Sequence, residues 1–509
     1  MAGRPLALTP RWPGALAGAL VLALTLGTLA AVFWRAGGTA RLAAADWAAI
    51  RFTVWQAALS AVLSVGFAIP VARALARRCF PGRNLLIALL GAPFVLPVIV
   101  AIFGLIAVFG RRGLLNAGLG ALGLPEISIY GPQGVILAHV FFNLPLATRL
   151  ILHGWLSVPS ERFRLAASLG VSVGRTIEWP MLRQVVPGAA LAVFLICLTS
   201  FAVALVLGGG PRATTVELAI YQALRFDFDL GRAALLASVQ FGLCVIGAGL
   251  AWGLTAEQSV SGGLGRVVRR WDLGSGWGDA LWIVAAAALL MLPLAMAILP
   301  GLPHVASLPG TVWQAALRSL AVALCSTALS VTLALALSLR PGRGSEVAGV
   351  LPLAVSSLVL GTGLFLMLAP VASPTKLALP LTALVNALLA LPFVYRAIRP
   401  AVAETRATHG PLAASLGLRG VFYLRRVLLP RIARPLGFGA GLAAALSMGD
   451  LGVIALFGGA DTETLPLAMY RLMGAYRTEA AAGAAVVLMV SSFALFWIFD
   501  TWGRRRAEV

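Results

Sequence analysis

The hexapeptide "LAASLG" occurs twice, at Leu165–Gly170 and at Leu412–Gly417, with the copies 247 residues apart (412 − 165) in a chain of 509 residues. Both copies lie in arginine-rich stretches between long apolar segments. Other matches keep nearly the same register. Leu144-Pro145 with Arg149 repeats as Leu391-Pro392 with Arg396 at the same offset, and Thr215 and Tyr221 repeat as Thr464 and Tyr470 at 249. "WQAAL" at Trp55–Leu59 returns at Trp313–Leu317. One shared hexapeptide is within chance for an alanine-rich chain, but several pairs in near-constant register mark an internal duplication.

The composition places both halves in a membrane. Hydrophobic residues make up 60% of the chain, charged residues only 11%, and the mean hydropathy is +0.94. Soluble domains carry about a quarter of their residues as charges. Twelve apolar runs are long enough to cross ~30 Å of hydrocarbon. They cover 14–34, 52–74, 85–109, 133–152, 188–207 and 231–253, then 279–299, 313–338, 347–369, 378–398, 435–457 and 480–502. Helices satisfy their own backbone hydrogen bonds in lipid, so the expected fold is an all-α polytopic membrane protein of about twelve transmembrane helices in two homologous six-helix halves. Six is even, so the halves share one orientation and form a parallel repeat. The predicted organisation is a first half over 1–253, a Gly- and Ser-rich basic linker over 254–278, and a second half over 279–509. The run 14–34 follows Arg4 and Arg11 and exceeds a signal-peptide core, so it reads as the first span.

The net charge of +21 follows from membrane topology. With the N-terminus inside, the cytoplasmic side carries 27 of the 39 Lys and Arg residues and the opposite side 12, which predicts cytoplasmic N- and C-termini. A nucleic-acid partner is not needed to explain the charge. The four cysteines and four histidines are scattered and show neither metal-ligand spacing nor a disulfide framework. No metal site, catalytic constellation or cofactor site is expected on this chain.

The longest cytoplasmic loops are 153–187 and 399–434, and each carries one hexapeptide. In the first, Ser160 reads as a helix cap with Glu161 in the first turn, and Phe163, Ala166 and Leu169 give a narrow apolar face. Gly170 suits the position just past a helix end. In the second, Pro411 suits the first helical position and Leu412, Ala413, Leu416 and Gly417 repeat the pattern. Periodicity alone fits a helix that docks on another protein and a surface helix packed on its own bundle equally well.

Both loops resemble the E-A-A-x-x-x-G loop of type I ABC importer permeases. The match runs through Leu165, Ala166, Ala167 and Gly170 to Pro180, and through Leu412, Ala413, Ala414 and Gly417 to Pro430. The glutamate of that pattern is Arg164 in the first copy and Pro411 in the second, and the glycine-to-proline spacing is 10 and 13 residues respectively. "AHVFFNLPLATRL" (Ala138–Leu150), "LGGGPRATTVELAIYQAL" (Leu207–Leu224), "FPGR" (Phe80–Arg83), "GDLGVIALFG" (Gly449–Gly458) and "LPLAMYRLMGAYR" (Leu465–Arg477) are similar to the fused two-domain permeases of thiamine importers; the fused permeases of ferric-iron importers share that architecture. The resemblance implies a bacterial inner-membrane permease whose loops couple to two copies of an ATPase subunit, and to which a periplasmic binding protein delivers solute. ATP and Mg would belong to the ATPase. The single lysine, Lys376, lies outside any G-x-x-x-x-G-K-[ST] loop, as that division of labour requires.

His139, Asn143, Ser200, Asn386 and Asp450 are the polar candidates for a translocation path, with helix–helix hydrogen bonding as the alternative role. For Asp450 the alternatives are contact with a cationic solute and a local cap beside Gly449 and Gly452. Glu217, Asp227, Asp229, Asp461 and Glu463 fall in expected outer loops, where they would dock a binding protein or remain solvated. Trp34, Trp155, Trp252, Trp497 and Trp502 lie near span ends and are expected as interfacial anchors. A twelve-helix secondary transporter is the rival class, but it would require more acids within the membrane.

Overall fold

A backbone in hydrocarbon stays hydrogen-bonded as helices or as a closed barrel, and all regular structure among the described residues is helical. The computed structural model describes residues 8–10, 12–37, 41–91, 93, 95–254, 276–370, 373, 376–459 and 461–507. The expected linker lies almost wholly outside them, as do Arg4, Arg11 and the side chain of Trp252.

The first half runs α1 (Trp12–Ala36), α2 (Ala44–Arg77), α3 (Arg83–Leu89), α4 (Val98–Phe109), α5 (Leu114–Ala121), α6 (Pro132–Ser157), α7 (Ser160–Ser168), α8 (Trp179–Leu198), α9 (Ala202–Leu207), α10 (Val216–Arg225) and α11 (Leu230–Leu254). The second half runs α12 (Trp277–Ile298), α13 (Gly310–Leu339), α14 (Arg343–Val350), α15 (Ser357–Leu368), α16 (Ala378–Ser415), α17 (Gly420–Tyr423), α18 (Leu429–Arg431), α19 (Ala433–Met448), α20 (Gly452–Phe457), α21 (Leu465–Gly474) and α22 (Thr478–Ala507), similar in order but with no counterpart of α5 and with α6 and α7 replaced by the single α16. Among the described residues eleven segments are long and apolar enough to span; one bent pair, 343–354 with 357–368 at 100°, raises the number to twelve.

Four expected spans are not single straight helices. The third, expected over 85–109, breaks between Leu89 and Val98, a stretch that contains Gly91, Pro93 and Pro97. The ninth breaks at the equivalent place, around Pro352. Proline removes a backbone donor and disfavours a helical residue before it, and a hydropathy average does not register either effect. The fifth and eleventh spans break at Thr199–Phe201 and Gly449–Leu451. The tenth span is longer than expected. It continues as one helix from Ala378 to Ser415 and takes in the start of the expected loop 399–434.

The expected outer loops are also partly internal. α10 buries Val216 through Tyr221 together with Ala223 and Leu224, and α21 buries Leu465 through Met469. Trp155 is buried as well, so it packs in the core and is not an interfacial anchor.

The halves interlock through their first helices. α1 packs on α13, α14 and α15 of the second half, and α12 packs on α2 and α4 of the first. Both crossings rely on glycine. A Cβ on Gly104 of α4 would stand 2.1 Å from the Pro293 carbonyl oxygen of α12, and one on Gly363 of α15 would stand 2.5 Å from the Thr28 carbonyl oxygen of α1. Without hydrophobic drive between helices in lipid, such close backbone contact supplies the association.

Gly104→Val is expected to push α12 off α4 and cost roughly 1–3 kcal/mol, as overpacking does. The check is thermal unfolding of the purified chain in mild detergent. Gly118→Val on exposed α5, where an added Cβ meets nothing, is the control. Equal melting of the two variants would refute this role for Gly104.

Candidate coupling loops and translocation path

The two hexapeptides close their helices in the same way. The Val171 and Gly170 amides donate to the Ala166 and Ala167 carbonyls at 3.1 and 3.3 Å. The Leu418 and Gly417 amides donate to the Ala413 and Ala414 carbonyls at 2.9 and 3.1 Å. These are Schellman pairs, which require a left-handed residue just past the cap. Gly170 and Gly417 supply it, with φ of +65° and +70°. An L-residue with a Cβ is disfavoured there by about 1–2 kcal/mol.

One face of each stop is held and the other is free. Ala166 and Ala413 are buried, whereas Leu165 and Leu412 are 59% and 61% exposed. Ala167 and Gly170 are exposed, and Ala414 is half-buried. Leu169 and Leu416 are also exposed, so each loop presents a pair of leucines one turn apart in an otherwise basic segment.

The caps differ from expectation. Pro159, not Ser160, precedes the first helical residue, and the Ser160 hydroxyl donates to Glu161 instead of accepting a helix amide. Pro411 lies inside α16 and does not open a new helix. The unequal spacing to proline also has a structural cause. Both loops enter the next helix through a five-residue π turn, Gly174–Glu178 and Leu424–Leu428, with Pro180 and Pro430 in the first turn that follows. The second loop inserts the short α17 before that turn, and this accounts for its three extra residues.

The path candidates gather around the two breaks in the fifth helices. Breaking α8 from α9 frees carbonyl groups, and side-chain amides take them up. The Gln56 amide donates to the Cys197 carbonyl at 3.0 Å, and the Gln240 amide donates to that of Leu198 at 2.9 Å. Asn143 donates to the His139 carbonyl at 2.8 Å and to Cys197 Sγ at 3.3 Å, while His139 Nδ1 lies 3.4 Å from the Ser60 hydroxyl. In the second half Asn386 donates to the Ser447 hydroxyl at 3.0 Å. Ser200 and Asp450 occupy the breaks themselves and are half-buried. Asp450 Oδ1 accepts from the Gly452 amide at 3.3 Å, at the first residue of α20, while Oδ2 has no hydrogen-bond partner among the described residues. Gln56 and Gln240 escaped the sequence reading, because only the break explains them.

Glu217 departs from the expected docking role. It is 0% exposed, neither carboxylate oxygen has a hydrogen-bond partner among the described residues, and Ser356 of the other half and Gln240 face it. A group enclosed in this way presents no charge to a partner. Of the other four candidates, Asp227, Asp229 and Asp461 lie outward and Glu463 is half-buried. Asp227 pairs with Arg232 at 2.8 Å, and Asp229 accepts from the Arg232 amide at 2.9 Å. Asp461 is exposed. Glu463 pairs with Arg471 at 3.2 Å, and burial nevertheless holds its carboxyl above the usual range.

α10 and α21 reach across the boundary between the halves. α10 touches α15 and α20, α21 touches α4, and the Arg225 guanidinium donates to the Gly458 carbonyl at 3.2 Å. Tyr221 packs edge-on against Phe201 at the first break, with ring centroids 5.3 Å apart.

Two interlocked helical halves, each with a broken fifth helix and a glycine-stopped loop beyond the bundle, have the architecture of a multi-pass transport permease. The thiamine transport system permease protein ThiP of Salmonella typhimurium is 39% identical to this chain over 100% of both proteins. That of Brucella abortus is 40% identical over 97% of this chain and 96% of its own length. The chain belongs to the thiamine transport system permease family of ABC permeases. A shorter match, 29% identical over 28% of this chain and 52% of the relative, joins it to the sulfate transport system permease protein CysW of Synechococcus elongatus. No protein-family model matches the chain. These relatives do not favour the ferric-iron reading, and they place the chain outside the secondary transporters.

Gln240→Leu is expected to leave the Leu198 carbonyl unpaired in the core and to cost roughly 1–3 kcal/mol. Thermal unfolding in detergent checks this, and an unchanged melting temperature would remove the capping role.

Proposed function

We propose that this chain is the membrane permease of an ATP-driven importer of thiamine and its phosphate esters. The observation that carries the proposal is identity of 39–40% over essentially full length to relatives named thiamine transport permeases. The chain forms the path; ATP is hydrolysed, with Mg, on two copies of a separate ATPase subunit. One subunit seats on each leucine-bearing loop, and a periplasmic binding protein delivers solute at the opposite end, near Asp227, Asp229, Asp461 and Glu463. The twin Schellman stops support this reading, because they fix two apolar knobs in equivalent settings outside the bundle. The basic ends carrying these loops face the cytoplasm of the bacterial inner membrane.

The half-buried Asp450 carboxylate, with one oxygen unpaired, is the proposed contact for the cationic thiazolium ring, flanked by Asn386. Its counterpart Ser200 offers a hydroxyl, so the path is unequal on its two sides.

Uptake of labelled thiamine by cells that depend on this chain, its ATPase and its binding protein tests the proposal. Gly417→Val opposes the left-handed stop by about 1–2 kcal/mol, which corresponds to a roughly five- to thirtyfold loss of the closed form. The variant is expected to insert normally, to lose uptake in that range and to leave ATP hydrolysis uncoupled. Wild-type uptake in both Gly170→Val and Gly417→Val would overturn the coupling role, and absence of thiamine uptake by the intact system would overturn the solute.

A further inference from the structure

The last turns of α22 and the π turn after the second hexapeptide enclose an open cleft of about 1160 Å3. Arg425, Arg426 and Arg431 enter it from one side, Arg505 and Arg506 from the other. Among the described residues none of the five takes part in an ion pair. The acid available on α22, Asp500, is committed to Arg504. Arg431 donates to the Val427 carbonyl at 3.2 Å, and Arg506 lies over the Trp502 ring at 5.6 Å. Both contacts hold side chains in place and neither neutralises charge. Five guanidinium groups around one cleft, with no ion-pair partner among the described residues, repel one another, so the site favours an anion.

The rest of the wall indicates which anion. Trp497 and Ile498 lie about two turns deeper on α22, within its membrane-crossing stretch, and Trp497 is 66% exposed. The cleft therefore joins a basic end to an uncovered apolar face, with indole rings at the level where they anchor membrane proteins. A soluble phosphate would use the arginines and leave that face unused. An acidic protein surface would have to reach a wall that faces acyl chains.

We propose that this cleft binds an anionic phospholipid, with its phosphate on Arg425, Arg426 and Arg505 and its acyl chains along Trp497 and Ile498. The lipid would tie α22 to the turn that joins the second candidate coupling helix to α19. The equivalent turn of the first half has only Arg175 together with the buried Glu178, which pairs with Arg73 at 2.9 Å, so the described residues form no such arginine cluster there. The inference needs only that α22 crosses a membrane and does not depend on the solute.

Native mass spectrometry of the full chain in mild detergent tests it, with phosphatidylglycerol, phosphatidylcholine and inorganic phosphate as probes. Wild-type protein is expected to retain phosphatidylglycerol over phosphatidylcholine, and millimolar inorganic phosphate should not displace it. Arg426→Gln with Arg505→Gln should lower that retention roughly tenfold or more, while Arg426→Lys with Arg505→Lys keeps most of it. Equal retention of the two lipids, or displacement by inorganic phosphate, overturns the proposal from the wild-type protein alone. It is also overturned if the glutamine pair holds phosphatidylglycerol undiminished while losing a co-expressed ATPase subunit, because the cleft would then be a protein-docking surface.

Discussion

A carbonyl freed by a helix break in hydrocarbon has no water to turn to, and leaving it unpaired costs several kcal/mol. This chain breaks the fifth helix of each half inside the bundle, so other helices must supply donors. In the first half Gln56 of α2 and Gln240 of α11 do so, which commits both helices to lie against α8 at defined heights. In the second half Asn386 of α16 donates to the Ser447 carbonyl at 3.5 Å and to its hydroxyl at 3.0 Å, while Asp450 at the break accepts from the Gly452 amide. Polar residues that look costly in apolar helices thus carry the architecture, and breaks and partners form one unit.

The interlock has a related logic. Lipid competes evenly with leucine for an apolar helix face, so helices associate where backbones approach closely. α1 and α12 each pack on the opposite half as well as on the last helix of their own. A sliding of one half against the other would strip these contacts at Gly104 and Gly363 together. Motion between the halves is therefore best accommodated where contacts are side-chain mediated, at α10, α21 and the breaks.

The duplication, the membrane class and the two glycine stops were legible in the sequence, because each rests on a local rule: composition, register, or the left-handed residue that Gly170 and Gly417 supply. The breaks were less legible. Gly91, Pro93, Pro97 and Pro352 were in view, but an apolar window averages over them. Ser160 and Pro411 were misread because capping preferences hold at helix ends, and the ends lay elsewhere. Glu217 was misplaced for another reason. It is fully enclosed, with Ser356 of the opposite half and Gln240 of α11 facing it, and no local pattern reports those neighbours.

The hexapeptides are alike but their supports are not. Proline at position 159 holds Val158 extended, so α7 is joined to α6 through a hinge. At the equivalent position the second half has Arg406, inside an unbroken α16, donating to the Leu339 carbonyl at 2.7 Å and to Thr9 at 2.8 Å. A helix of 38 residues is about 57 Å long, nearly twice the hydrocarbon thickness, so α16 carries its loop out of the membrane as one helix, with Pro392, Pro400 and Pro411 inside it. On the proposed coupling role, a push on Leu412 would meet a continuous helix as far as Asn386, beside the break at Asp450. On the same proposal, a push on Leu165 would cross the extended Val158 before reaching His139 and Asn143. The two hexapeptides keep the same glycine stop and differ in their linkage: one stands on a continuous helix, the other on a helix joined through an extended residue.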